Sequence, residues 1–325
     1  MVKNSDFNPA WWLPGPHLQT LWPVLSGSKK TPTLLRERLE LPDGDFIDVD
    51  WVNAHLDTPI VVILHGLEGS CHSPYARDML YTLQHLGFRA VFMYFRGCSG
   101  EINRMPRYYH SGDTEDLAWL IQRLQKQYPN VPLTAIGYSL GGNVLLKWLG
   151  ETEANNPLQC AVAVSVPMLL HKSADRMRNG FSRFYQWYLI MQLKQKLKQK
   201  QIQRGIHTNV DMEELKDFWS FDDKITAPLH GFKSAEDYYK KSSSRQYLKT
   251  IAVPTLILHA KDDPFTDDTV IPNENELSSA VTLELSAKGG HIGFISGTIP
   301  GRGQPWLSQR ILQFIEQHST KEIIQ

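Results

Sequence analysis

The sequence predicts an α/β fold, with a mostly parallel central sheet flanked by helices and one helical insertion capping the sheet's edge. Three observations carry that expectation. Short apolar runs alternate with amphipathic helical stretches, the mark of repeated strand–helix units. The run Ile60–Leu64 (IVVIL) is apolar throughout and largely β-branched, as a strand covered on both faces requires. The alternation then fails between about residues 167 and 250 and resumes at Val253.

The strand candidates, in order, are Arg36–Leu41, Phe46–Trp51, Ile60–Leu64, Ala90–Phe95, Leu133–Gly137, Cys160–Ser165, Thr255–Leu258 and Val281–Leu285. Asp43-Gly44 separates the first two, a turn signal that predicts an antiparallel hairpin at the sheet edge. Helices are expected over Pro74–Leu86, Asp113–Gln127, Leu140–Leu149 and Pro305–Gln317. Pro74 suits a first helical turn and Asp113 is placed to cap. The interruption lacks clear strands and is rich in aromatics, Lys, Gln and Ser. A helical cap of about residues 167–250 within a single domain of 1–325 accounts for it.

Composition narrows the function classes. Lys+Arg and Asp+Glu are both 34 in 325 residues, so no global charge favours nucleic acid or another polyanion as partner. Cys71, Cys98 and Cys160 make an odd count with no CxxC, which reads as reduced thiols in a reducing, cytoplasmic compartment. The polar, proline-broken start does not read as a signal peptide, and no apolar run approaches the roughly 20 residues of a membrane-spanning helix. The histidines show no HExxH and no cluster with acidic partners, so no metal site is expected.

Chemistry concentrates in three places. Gly137-Tyr138-Ser139-Leu140-Gly141 fits GxSxG, coming off an apolar strand and opening a helix. The turn is so tight that side chains two residues either side of the serine would collide with the neighbouring strand and helix, hence the glycines. Ser139 is thereby raised at a helix N-terminus, where negative charge is favoured. His65-Gly66 closes the IVVIL strand and matches the loop that donates an oxyanion-hole N–H. By position the donors are the amides of Leu67 and Leu140.

A base and an orienting acid must follow the serine, in the order acid then histidine. His171, His207, His230 and His259 precede or abut the acid candidates, and His318 sits near a helix end. His291 lies beyond the acids in a glycine-rich loop, Lys288–Phe294, able to reach back to the serine. The acid belongs after the Thr255–Leu258 strand, where Asp262 and Asp263 compete. Counting from Ala260, the position lands on Asp263, leaving Asp262 exposed or capping.

These motifs together resemble the YheT family of α/β hydrolases, an esterase group related to eukaryotic lung α/β-hydrolase proteins. The resemblance runs through Pro14–Trp22, His65–Ser70, Phe95–Gly100, Gly137–Asn143, Thr226–Phe232, Asp262–Pro264 and Gly289–Phe294. It implies an α/β-hydrolase fold, carboxylesterase activity on short- to medium-chain acyl esters, a Ser–His–Asp triad and no cofactor. The eukaryotic relatives carry an N-terminal membrane anchor that this chain is not expected to share. A non-enzymatic binding module on this fold would be expected to lack a triad member, and none is missing.

Other residues have simpler expectations. Arg96 should line the same sheet edge as Ser139, and a structural ion pair is expected there before a substrate carboxylate. Cys98 has no second base to make it a nucleophile. The run His110–Asp116 is expected to be a solvent-facing helix cap. From Leu189 to Arg204 the chain carries Lys194, Lys196, Lys198, Lys200 and Arg204 with no acid, beside a stripe of Ile190, Leu193 and Leu197. A cap helix packed through the stripe with solvated lysines is expected, contact with an anionic membrane surface being the alternative. The aromatics Phe181, Phe184, Tyr185, Trp187 and Tyr188 are expected to wall an acyl pocket.

Overall fold

The computed structural model describes residues 1–27, 31–55, 58–205 and 210–318. Nine strands form one sheet in the order β1-β9-β8-β7-β6-β4-β5-β3-β2. All eight strand candidates are in it: β2 (Leu35–Glu40), β3 (Phe46–Val52), β4 (Ile60–Leu64), β5 (Arg89–Met93), β6 (Leu133–Tyr138), β7 (Cys160–Val164), β8 (Thr255–Ala260) and β9 (Val281–Ser286). Pairing is parallel except where β3 meets β2 and β5, so the hairpin lies at the sheet edge. β4 sits between β5 and β6 with every residue fully buried, as its unbroken apolar sequence requires.

Two features escape the pattern. Strand β1 (Val2–Asn4) extends the sheet in parallel with β9, yet three residues reading VKN carry no strand signal. Helix α1 (Pro16–Ser26) stands where prolines argue for a loop. Pro16 occupies its first turn, where a missing N–H costs nothing, and Pro23 lies inside it.

Helices α2 (Pro74–His85), α3 (Glu115–Gln127), α4 (Leu140–Thr152) and α10 (Trp306–His318) flank the sheet. Separate apolar clusters fill its two faces, one centred on α3 and α4, the other on α2 and α10. Asp113 does not cap α3. Its carboxylate accepts from Arg107 at 2.9 Å, and Thr114 precedes the helix without a capping bond. The stronger charge–charge partner has taken the side chain.

Between β7 and β8 the chain forms no strand among the described residues. It runs through α5 (Leu170–Met177), α6 (Ser182–Arg204), the short α7 (Phe218–Phe221), a π turn (Asp222–Thr226), α8 (Ala227–Leu229) and α9 (Ala235–Ser242). These helices leave from the C-terminal end of one parallel strand and return to the start of the next. In such sheets ligand sites lie at the C-terminal edge.

Candidate active site

Ser139 caps α4 with φ 51° and ψ −116°, a left-handed backbone that few side chains adopt. The glycines around it are required by contact. A methyl group on Gly137 would lie 2.6 Å from the Gly141 carbonyl oxygen, and one on Gly141 would lie 2.6 Å from that of His65. The Ser139 N–H donates to Val164 O at 2.8 Å, fixing the turn against β7.

His291 Nε2 stands 3.0 Å from Ser139 Oγ, and its Nδ1 stands 2.8 Å from Asp263 Oδ2. The three residues chosen from sequence thus form one hydrogen-bonded chain. Asp263 is buried, and its second oxygen accepts the Phe265 N–H at 2.8 Å. The Phe265 ring stacks on the imidazole with centroids 3.9 Å apart, which fixes its plane. Asp262 is not left exposed or capping. It is half-buried and accepts the Gly290 N–H at 2.9 Å, tying the β8 loop to the histidine loop. Burial pushes its carboxyl above the usual range.

The histidine loop is braced by residues that the motifs did not single out individually. Thr20 Oγ1 accepts the His291 N–H at 2.9 Å, and Ser165 Oγ accepts the Ile292 N–H at 3.0 Å. Gln19 exchanges two hydrogen bonds with the backbone of Ile295, at 2.8 and 3.1 Å. Both Gln19 and Thr20 belong to the Pro14–Trp22 motif, which now has a structural purpose. Glu68, Ser139, Ser165, Ile292 and Phe294 all hold positive φ, so backbone strain gathers around this one edge.

The loop after β4 presses on the serine. A methyl group at Gly66 would lie 3.3 Å from Ser139 Cβ. His65 is buried beneath the loop, donating from Nδ1 to Gly66 O at 2.6 Å and accepting the Phe95 N–H at Nε2. Burial holds its pKa down to about 3, so the ring is a neutral strut. The Leu67 and Leu140 N–H groups have no acceptor among the described residues, and both residues line the cavity that contains Ser139 and His291.

That cavity, about 100 Å³, is walled by Leu170, Ala174, Met177, Leu189, Phe218 and Phe265. A second cavity of similar size adjoins it, sharing Leu67, Ser111, Leu140, Phe218, Asp222 and Tyr238. None of the aromatics expected as pocket walls reaches either cavity. Phe181, just before α6, and Phe184, Trp187 and Tyr188 on its outer face are about half exposed, and Tyr185 is buried against Phe265. Their spacing of three and four residues puts the exposed three of α6 on the side of the helix opposite Leu189, Leu193 and Leu197.

The lysines of α6 also depart from expectation. The stripe does pack inward, with Ile190 and Leu197 buried. Lys196 and Lys200 turn inward with it. Lys196 pairs with Glu68, and the fully buried Lys200 donates to Asn103 Oδ1 and Arg107 O while sitting 3.9 Å from the centre of the Tyr108 ring. Arg96 behaves as expected, held by both oxygens of Asp116 at 2.7 Å and by Asp43 and Asp45. His110–Asp116 is not a solvent-facing cap. The Ser111 N–H donates to Tyr238 and its carbonyl accepts from Asn143 of α4, so the run fastens α9 to the sheet layer. His207 lies outside the described residues. No described helix is long and apolar enough to cross a membrane.

Comparison with known proteins agrees with this geometry. A family model described as the alpha/beta hydrolase fold matches residues 59–298. The chain is 43% identical to "Putative esterase YheT" of Escherichia coli (strain K12), across 95% of this chain and 92% of that protein. It is 30% identical to "Phospholipase ABHD3" of Mus musculus, across 97% of this chain and 79% of that one. Among solved structures, the Pyrococcus furiosus esterase Pf2001 superposes with a TM-score of 0.59 over 98% of both chains, at 18% identity, a likeness of fold.

Proposed function

The chain belongs to the α/β hydrolase family, and from that premise we propose that it is a serine carboxylic-ester hydrolase acting on small-molecule esters with short- to medium-chain acyl groups. One observation carries the reading: the hydrogen-bonded chain Ser139–His291–Asp263 opens on a largely apolar cavity beside two unengaged amides. His291 takes the Ser139 proton as the hydroxyl attacks the ester carbonyl, and Asp263 holds the imidazole in the tautomer this needs. The Leu67 and Leu140 N–H groups receive the oxyanion, where losing one donor typically costs about 3 kcal/mol. His291 then protonates the leaving alcohol. Water activated by the same ring releases the acid and restores Ser139.

The cap helices between β7 and β8 set acyl size in this reading, through Leu170, Met177, Leu189 and Phe218. The cysteines are unbridged, which supports a reducing, cytoplasmic setting. A phospholipase is the second reading. It is favoured by the mouse relative's name and by the exposed aromatic row on α6, which suits a lipid surface. The test is labelling with a fluorophosphonate followed by a p-nitrophenyl ester chain-length series, with phospholipid vesicles as the competing substrate. Ser139→Ala should lose both labelling and hydrolysis while its circular dichroism is unchanged. A variant that kept wild-type turnover would remove Ser139 from the chemistry.

A further inference from the structure

Glu68 follows Leu67 directly, at φ 54°, and its carboxylate is turned inward rather than to water. Three donors converge on that carboxylate: Lys196, Tyr109 and, at 4.0 Å, the Cys98 thiol. Lys196 of α6 reaches both carboxylate oxygens, at 2.8 and 2.7 Å. Tyr109 donates to Oε1 at 2.7 Å and accepts the Glu68 N–H at 2.9 Å. Both members of the ion pair are almost buried, with side-chain exposures of 11% for Lys196 and 8% for Glu68. A buried pair of this kind contributes little net stability relative to apolar packing. Its position suggests another use.

The Leu67 peptide is clamped on both sides. Upstream, the Gly66 N–H donates to the Tyr75 hydroxyl of α2 at 2.9 Å, an anchor in the core. Downstream, the anchor is Glu68, and its principal partner comes from the cap. We infer that Lys196 and Glu68 form a positioning pair, through which α6 holds the Leu67 N–H in line for the oxyanion. The inference rests on the esterase reading above and adds a role to the cap. The same helix walls the Ser139 cavity with Leu189, about two turns from Lys196. It therefore shapes the substrate's place and steadies the donor together. A donor free to swing by about 1 Å loses most of its value, because oxyanion stabilisation depends on dipoles fixed before the charge appears.

Lys196→Met and Glu68→Gln, assayed as the full chain on a p-nitrophenyl ester, should each lower kcat per fluorophosphonate-titrated site by roughly ten- to a hundredfold with KM little changed. Affinity for a trifluoromethyl ketone, whose adduct with serine carries the same oxyanion, should fall in parallel. Lys196→Arg should restore much of the rate. The double variant should be no slower than the slower single one, since the two residues act as a unit. Glu68→Gln keeps the side-chain volume, so it decides the matter if Lys196→Met does not fold. Unchanged kcat per titrated site in either folded variant, or losses confined to melting temperature, would overturn the pairing. Ser139→Ala separates the two levels. If it still labels, the esterase reading itself fails; if it is silent while Lys196→Met and Glu68→Gln turn over normally, only the positioning pair fails.

Discussion

Helices α4 and α6 border the same serine and are held in place by opposite means. In α4, ten of thirteen residues are buried, and its first turn sits so close to β4 and β6 that only glycine fits at 137, 141 and 142. In α6, six of twenty-three residues are buried, and its attachments include two inward lysines, each satisfied by specific polar partners. Close contact fixes the first helix; an apolar stripe and a few specific polar contacts, one of them an ion pair, fix the second. A helix set by shape has one position. A helix set by a few polar contacts can be re-aimed by changing one of them.

That contrast can be broken in several places. The largest effect should fall on the rigid side, at the acid that orients His291. Asp263→Asn should cut turnover by about 10⁴, as the wrong histidine tautomer does in a serine protease. Asp262→Asn, which keeps an acceptor for Gly290, should cost far less. Steady-state kinetics on one ester would show a reversed order if the two carboxylates had exchanged roles.

Next come single substitutions to alanine on the two helices. Gly141→Ala puts a methyl group 2.6 Å from the His65 carbonyl oxygen and should destabilise the fold by about 2 kcal/mol or more. Gln195→Ala, on the exposed side of α6, should stay within about 0.5 kcal/mol. Urea titrations of both would compare them; equal midpoints would mean that shape does not fix α4.

A pH dependence should separate the helices further. Burial holds the Lys200 pKa down to about 7, whereas an unfolded lysine titrates near about 10.4. Between those values the unfolded chain binds the extra proton, so this group makes the fold more stable as pH rises. Below about pH 7 both states are protonated and the full penalty of the buried charge applies. Lys200→Met should therefore flatten the rise in melting temperature between about pH 7 and 9. Parallel curves for variant and wild type would show that Lys200 is charged in both states.

The smallest effect should be one of preference. Leu189→Phe should shift the favoured acyl length downward by filling the Ser139 cavity, whereas Phe184→Ala and Trp187→Ala should leave the profile as it is. A p-nitrophenyl ester series would refute the assignment of walls if the outer aromatics moved the optimum and Leu189 did not.

The same contrast explains what could be read from the amino-acid order. The elbow at Ser139 is local: its glycines, strand and helix lie within about ten consecutive residues, so the steric demand is written where it acts. Chain order, the count from Ala260 and the glycine-rich loop together pointed to Asp263 and His291. The inward turn of Lys196 and Lys200 was hidden because their partners, Glu68, Asn103 and Arg107, lie 93 to 128 residues away. Helical spacing showed that α6 had an apolar stripe, but aromatics on the other face made either side a plausible inner one. Strand β1 was too short to show a period, and α1 was masked by its prolines, of which Pro16 is tolerated in the first turn and Pro23 lies inside the helix.

The bonds from Gln19 and Thr20 to the loop around His291 join residues 271 to 276 positions apart. Contacts of that separation are expected to form late, because chain entropy must be lost before they return anything. During folding, Ser139 can therefore sit finished on its turn while its base still wanders. On the esterase reading, the nucleophile's turn would then be in place before its base arrives. On refolding from denaturant, helical signal should return ahead of esterase turnover, with the lag set by how soon residues 16–20 meet residues 290–295.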